Sequence, residues 1–362
     1  MSIRFGRRFE MLTSEQIKQY ALNELGVDKI GIANIERFKT APDFSDPKNI
    51  MPNCKSVIVF LLRVPRGCYR GIEEGTHWPS YTVFGYTGIA RNLVQIGYYL
   101  SKYIEKNGYE AAIVSSATTV PERGPRGNAI EGKARREVSV HHRIAAFLAG
   151  LGEIGFSKVF LTEEFGPRQR IGIVLTDLPL EPDEIPVPHI CDRCRICVNA
   201  CPGAMSKTET VKCSLEGFDL EWVQVETGRC KQAHFGFDRK TSPFFVKRFP
   251  GIYMPMEKQQ NTWQEAHDFG HALFAEEPTL TALNHHEFYL AVCGARGCQR
   301  ACLKHLEMRG KLKENFEKKV FAPAKYWELP EEPEPTKHHG FAFEPGEKMP
   351  DEVGFFSGGS WY

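Results

Sequence analysis

The stretch from Cys191 to Ser206 reads CDRCRICVNACPGAMS and spaces its cysteines as Cys-x2-Cys-x2-Cys-x3-Cys-Pro. No other feature constrains the fold as strongly. Two-residue gaps bring three thiolates from one tight loop to the corners of a 4Fe-4S cube, and in two-cluster ferredoxins the last cysteine of such a run serves the other cluster. A second set of cysteines is therefore expected downstream. CGARGCQRAC, from Cys293 to Cys302, supplies it, with Cys213 and Cys230 in between. The assignment is Cys191, Cys194, Cys197 and Cys302 on a first cluster and Cys201, Cys230, Cys293 and Cys298 on a second, with Cys213 the rival to Cys230. The second motif departs from the usual pattern, having four residues between its first two cysteines and Leu303 where a proline would follow. Zinc also takes Cys-x2-Cys pairs, but four cysteines in one short run suit a cubane better than a tetrahedral ion.

The remaining composition is that of an ordinary globular protein: 362 residues, 42% apolar and 25% charged. With 46 basic against 45 acidic side chains, no overall field draws the chain to nucleic acid or membrane lipid. The start, MSIRFGRRFEMLTSEQ, carries Arg7 and Arg8 but no apolar core behind them, so neither a Sec nor a twin-arginine signal is expected. No run of about 18 apolar residues occurs, and a cytoplasmic location without membrane contact is expected. Eleven cysteines in such a compartment point to metal rather than disulfides, and the isolated Cys54 and Cys68 read as packed thiols.

Upstream of the cysteines the pattern alternates helix and strand. Leu12 to Gly26 is a helix capped by Thr13 or Ser14, and Gly88 to Gly108 is a second amphipathic helix. VDKIGIANI, Ser56 to Val64 and YEAAIVSSA read as strands, the second apolar enough to be buried on both faces. VHHRIAAFLAGLGEIG reads as a helix into a glycine turn, followed by two strands joined through EEFGPRQ. Pro179 to His189, with its four prolines, is a linker. Three regions follow: an α/β domain over 1–180, a cluster domain over 181–330 with helices and loops around the cysteines, and a Pro/Gly/aromatic tail over 331–362 that packs on the body.

Neither a Gly-x-Gly-x-x-Gly after a strand nor a Walker loop is present, and GLGEIG follows a helix pattern, so no nucleotide site is expected. LTSEQIKQYALNELGVDKIGIANI, AGLGEIG with EFGPRQRIG, CDRCRICVNACPGAM, TGRCKQAHFGF and CGARGCQRAC, in that order, resemble the signatures of the epoxyqueuosine reductase and reductive dehalogenase superfamily. The resemblance runs from about residue 12 to residue 307.

It implies an α/β (α+β) fold, a nitroreductase-like domain followed by a ferredoxin-like dicluster domain, with a base-off corrinoid, cobalamin, held between them. Electrons from a low-potential donor such as ferredoxin or flavodoxin would pass through the clusters to cobalt, to reduce a small-molecule substrate. Candidate corrinoid-facing positions are His141, Gly150, Gly152, Arg168 and Arg170, the two arginines being equally suited to bracing a hairpin. Epoxyqueuosine reductases carry an acidic Asp-x-x-Pro pattern where this chain has RREVSVHHR, so tRNA is a lesser expectation. Dehalogenases resemble a tyrosine paired with a basic residue some sixty positions on, which makes Tyr81 or Tyr86 with His141, His142 or Arg143 the catalytic candidates. Glu153 is a candidate acid, N-cap or ion-pair partner, and the pairs His285-His286 and His338-His339 read as surface residues. The alternatives to a corrinoid enzyme are an electron-transfer protein that reduces a partner's corrinoid, and a chain whose cavity holds flavin or nothing.

Overall fold

The computed structural model describes residues 12–40, 45–114, 140–234, 292–314, 316–317 and 321. The tail, the loop over 118–133 and both histidine pairs lie outside the described residues.

Helix α1 (Ser14–Asn23) starts where its sequence can satisfy the free N–H groups of a first turn. The Thr13 hydroxyl accepts from the Gln16 N–H at 3.2 Å and the Gln16 side chain accepts from the Thr13 N–H at 2.9 Å, a reciprocal capping box. Ile17 and Ala21 then fall on one buried face. The chain continues through β1 (Lys29–Asn34), β2 (Ser56–Arg63), the short α2 (Arg70–Glu73), a π-helical segment at Ser80–Gly88, α3 (Ile89–Lys106) and β3 (Ala111–Val114). After the gap come α4 (His142–Leu148), the two-residue strands β4 (Glu153–Ile154) and β5 (Phe160–Leu161), and β6 (Gln169–Thr176).

The main sheet has the order β1-β2-β6-β3 and every pairing in it is antiparallel. Alternating helix and strand therefore yields an α+β fold rather than parallel crossovers. β2 lies inside the sheet and is buried on both faces, as its unbroken apolar run requires. Period two divides its side chains. Ile58 and Phe60 meet Ile17, Leu93 and Leu100 of α1 and α3, while Val57, Val59 and Leu61 meet α4 on the opposite side. Each of these side chains contributes roughly 1.5–3 kcal/mol by leaving water.

Two expectations are corrected. The strands on either side of EEFGPRQ do not form a hairpin with each other: β5 pairs with β4, and β6 passes into the main sheet between β2 and β3. An isolated bridge between Thr162 and Gly166 closes the turn locally, so the chain can change direction without pairing the flanking strands. The region after the cysteine run also begins with strands rather than helices. Past α5 (Ile196–Ala200), β7 (Met205–Leu215) and β8 (Phe218–Val225) form a hairpin, followed by α6 (Thr227–His234), α7 (Val292–Arg296) and α8 (Cys298–Met308). The hairpin turns at Glu216 and Gly217, both in the left-handed region at φ 48° and 80°. Leu215, Leu220 and Trp222 join the core that α4 and the sheet share, and Phe218 meets Phe147 edge-on. The hairpin lies beyond the Pro179–His189 linker yet completes the core of the part before it.

Candidate functional site

Cys191, Cys194, Cys197 and Cys302 line one cavity, with Phe156, Ser157 and His305 beside them. Cys191 and Cys194 come from the loop leading into α5, Cys197 from α5 itself and Cys302 from α8, which packs against α5. Arg193 and Arg195 hold left-handed backbone at φ 56° and 62°, which costs about 1–2 kcal/mol per residue and lets so short a loop turn its cysteines inward. The buried Glu153 fixes the approach. Its carboxylate accepts from three successive main-chain N–H groups, His189 at 2.5 Å, Ile190 at 2.9 Å and Cys191 at 2.6 Å. Cys191 Sγ in turn accepts from the Phe156 N–H at 3.3 Å. Of the three roles the sequence left open for Glu153, none is the one observed: it is an acceptor for the linker's backbone.

Burial, then the neighbouring Cys191 and Cys194, pushes the Cys197 thiol up to about 11. Cys302 is raised further by burial and by Cys191, Cys197 and Cys194. Four thiols that converge on one cavity suit a cation-rich core that takes all four as thiolates, and the donor set fits a 4Fe-4S cluster.

Three members of the second set lie near one another. Burial raises Cys298, with Cys230, Cys201 and Cys197 as the next causes, and burial raises Cys230, with Cys201 the first neighbour to act on it. These mutual influences put Cys201, Cys230 and Cys298 in one group, beside Cys197 of the first. Cys230 is exposed. Cys293 sits on α7, where its carbonyl accepts from the Gly297 N–H at 2.6 Å just before Cys298. Cys213 stands elsewhere, on β7 opposite Leu220 and against the α4 core. An apolar cluster of Phe156, Cys197, Val198, Met205 and Val223 touches Cys191, Cys201 and Cys298, so the two sets share one dry wall.

The π-helical segment carries both candidate tyrosines, which pack in one cluster and differ in their hydrogen-bond partners. Tyr81 is fully buried, packs on Tyr69 and donates to Gln299 Oε1 at 3.1 Å. Burial raises its phenol well above the ordinary value. Tyr86 packs against the same cluster and acts, with Cys230 and Cys298, on Arg143. Its hydroxyl lies 3.1 Å from His234 Nε2, and the Arg170 guanidinium sits 3.7 Å above its ring. Arg143 belongs to the same group: burial lowers its pKa, and the groups opposing that are Cys230, Cys298 and Tyr86. Lys158 is lowered by burial and by Arg143, and His234 by burial, Lys231 and Arg170.

The other predicted positions are occupied by structural work. His141 caps α4, its Nδ1 accepting from the Ile144 N–H at 3.3 Å, and burial lowers its pKa to about 3. His142 is buried within α4. Gly150 has φ 72°, and a Cβ there would come within 2.2 Å of the Glu184 carbonyl; at Gly152 it would come within 2.1 Å of the Leu161 carbonyl. Both glycines serve chain packing. Arg168 is fully buried, donating to the Val64 carbonyl and to Glu314, each at 2.6 Å. The sequence reading missed His234, whose only signal was its place four residues after Cys230, one turn on along the same helix.

No family model matches this chain. Over 184 residues it is 33% identical to the tetrachloroethene reductive dehalogenase of Desulfitobacterium hafniense, which covers 49% of this chain and 27% of that protein. Over 222 residues it is 25% identical to the epoxyqueuosine reductase of Bacillus cereus, covering 52% of each. The chain is a sequence relative of both reductases. The matches span about a quarter of the dehalogenase and about half of the epoxyqueuosine reductase. Among solved structures, a reductive dehalogenase described by a mechanism for B12-dependent dehalogenation aligns at TM-score 0.42 and 22% identity, over 59% of this chain and 28% of that one. Among the described residues, no helix is long and apolar enough to cross a membrane.

Proposed function

We propose that this chain is an iron-sulfur oxidoreductase that reductively cleaves a small organic substrate, closer in chemistry to a dehalogenase than to a tRNA-modifying reductase. The observation that carries this reading is Tyr86, a phenol held between His234 and Arg170 with Arg143 nearby, at the edge of the second cysteine set. Reductive cleavage takes two electrons and one proton: the carbon–leaving-group bond breaks with the pair going to the leaving group, and a carbon–hydrogen bond forms. Tyr86 is placed to supply that proton. Arg143 and Arg170 oppose the negative charge left on its oxygen, and His234 can return a proton through Nε2.

The cysteines fit two four-iron clusters, whose part is to store and pass single electrons. Cys194 is exposed, which suits the first cluster for electron entry from a low-potential donor of the ferredoxin or flavodoxin kind. Of the corrinoid contacts expected, His141 caps α4 and Gly150 and Gly152 pack against backbone, while Arg168 Nε and Arg170 Nε and Nη2 are donors without a partner among the described residues. Cobalamin enters the proposal on the family resemblance alone, and no step is drawn through it. The division near residue 180 is proposed as a boundary between roles, catalytic before it and electron-carrying after it.

The test is anaerobic purification from cells given cobalamin, followed by metal analysis and turnover of a halogenated substrate by wild type and Tyr86→Phe. About eight irons per chain, turnover in wild type and its loss in Tyr86→Phe would support the reading. Turnover unaffected by that change would overturn the role of Tyr86.

A further inference from the structure

We propose that Glu73 is a positioning residue for the second cysteine set: through Arg296 and Arg300 it clasps the segment that carries Cys293 and Cys298 to the α/β domain. This rests on the reading of that set as a cluster site, and it gives a purpose to the unusual four-residue interval between Cys293 and Cys298.

Glu73 closes α2 with its side chain 1% exposed. Arg300, 227 residues on in α8, donates to it through Nε to Oε1 and through Nη2 to Oε2, the latter at 2.7 Å. That two-pronged grip fixes the carboxylate and the guanidinium in one plane. Arg296, at the end of α7, brings Nη1 to 3.8 Å from the same Oε1. A carboxylate so deeply buried is costly unless paired, and removing it would leave two guanidiniums facing a dry gap.

The wide interval is what places both arginines. Its extra length is taken up by the end of α7 and a break at Gly297, and across that break Arg296 and Arg300 reach one carboxylate. Neighbouring contacts pin the same segment. Tyr81 donates to Gln299 Oε1 at 3.1 Å, Gln299 Nε2 donates to the Pro167 carbonyl at 2.5 Å, and a Cβ on Gly294 would come within 2.4 Å of Tyr81 Oη. α7 also packs on α6, the helix that carries Cys230. Cys293 and Cys298 are thus held from the α/β domain, and Tyr86 shares the π-helical segment with Tyr81. The clasp therefore sets these two cysteines against Tyr86 as well as against Cys201 and Cys230.

The experiment is hydrogen exchange read by mass spectrometry on the full chain purified anaerobically, with iron content and electron paramagnetic resonance of the same samples. Glu73→Gln keeps the shape and removes the charge. It should speed exchange across 292–303 by about tenfold or more while 191–201 exchanges as in wild type, the worth of a charged hydrogen bond. Iron should fall from about eight toward about four with the first cluster's signal kept. Ile17→Ala opens a cavity in the core beneath α1 and should leave both 292–303 and iron as in wild type. Arg300→Lys keeps the charge and loses the two-pronged grip, so it should shift exchange the same way by less, and it decides the matter if Glu73→Gln does not fold. Wild-type exchange and iron in Glu73→Gln would sink the proposal. So would equal losses in Ile17→Ala, which would reduce the clasp to general stability. Wild type holding only about four irons would remove the cluster reading instead, and exchange across 292–303 would still decide the clasp.

Discussion

Around Cys191, Cys194, Cys197 and Cys302 the chain mixes carboxylates and cations, Glu153 and Asp192 with Arg193 and Arg195, whereas the charged groups that act on Cys230 besides a cysteine are cations. Glu153 is buried with its oxygens turned to the N–H groups that lead into Cys191. Arg143, Lys231 and Lys158 act on Cys230 from the other side. Negative charge near a cluster disfavours adding an electron and positive charge favours it, so the two neighbourhoods define a direction. Under the proposed function, electrons entering at Cys194 would be drawn toward the set acted on by Arg143. The comparison teaches that two similar thiol sets are made unlike by their surroundings rather than by their sulfurs.

The most drastic way to break the comparison is to remove one set at a time. Cys197→Ser and Cys230→Ser should each lower iron by about four per chain. If Cys230→Ser retained full iron while Cys213→Ser lost it, the ligand assignment would be wrong.

The tyrosines offer the next largest contrast. Tyr86→Phe should lower kcat by about 10²–10⁴ with folding intact, since it removes a positioned acid. Tyr81→Phe should leave the chemistry alone and cost about 1–3 kcal/mol by leaving Gln299 Oε1 short of a donor. Equal kinetic effects of the two changes would mean that the contact with His234 does not single out Tyr86.

A smaller effect tests the direction of flow. Redox titration followed by electron paramagnetic resonance should find the cluster near Arg143 at the higher potential. Glu153→Gln should raise the other by something on the order of tens of millivolts, leaving the Arg143 side unchanged. A reversed order of potentials would dismiss the electrostatic account even with both clusters present.

How much of this was legible beforehand follows from the range of each interaction. Cys191 to Cys201 announce themselves because three ligands lie in one loop, and β2 does so because its apolar run is continuous. The capping box of Thr13 and Gln16 is equally local. The β7–β8 hairpin could have been found from Glu216-Gly217 between alternating strands, but its exposed residues dilute the apolar signal. Glu153 and Arg170 could not. Three N–H groups some 36 to 38 residues away define the first, and the second differs from Arg168 because Arg168 lies before β6 and Arg170 within it. Arg168 turns to Val64 and Glu314 while Arg170 turns to Tyr86, a distinction that needs the register of β6.

The smallest predicted effect concerns acid, and it contrasts His141 with the site it was expected to join. Its Nδ1 accepts the Ile144 N–H, so the cap requires the neutral ring. Burial, with Arg143 and Lys158 adding to it, lowers the pKa from 6.5 to about 3. Between those values the unfolded chain binds a proton that the folded chain refuses, so stability is full above about pH 6.5 and falls as the pH drops toward 3. At pH 5 the loss amounts to about 2 kcal/mol. His141→Asn keeps a capping oxygen without a titrating ring, and denaturant melts at pH 7 and pH 5 should show a shallower decline than wild type. His234, also held neutral by burial, adds a loss of the same sign in both proteins, so the difference between the two slopes isolates His141. Identical slopes would mean that its ring is protonated in the folded chain, and α4 would need another cap.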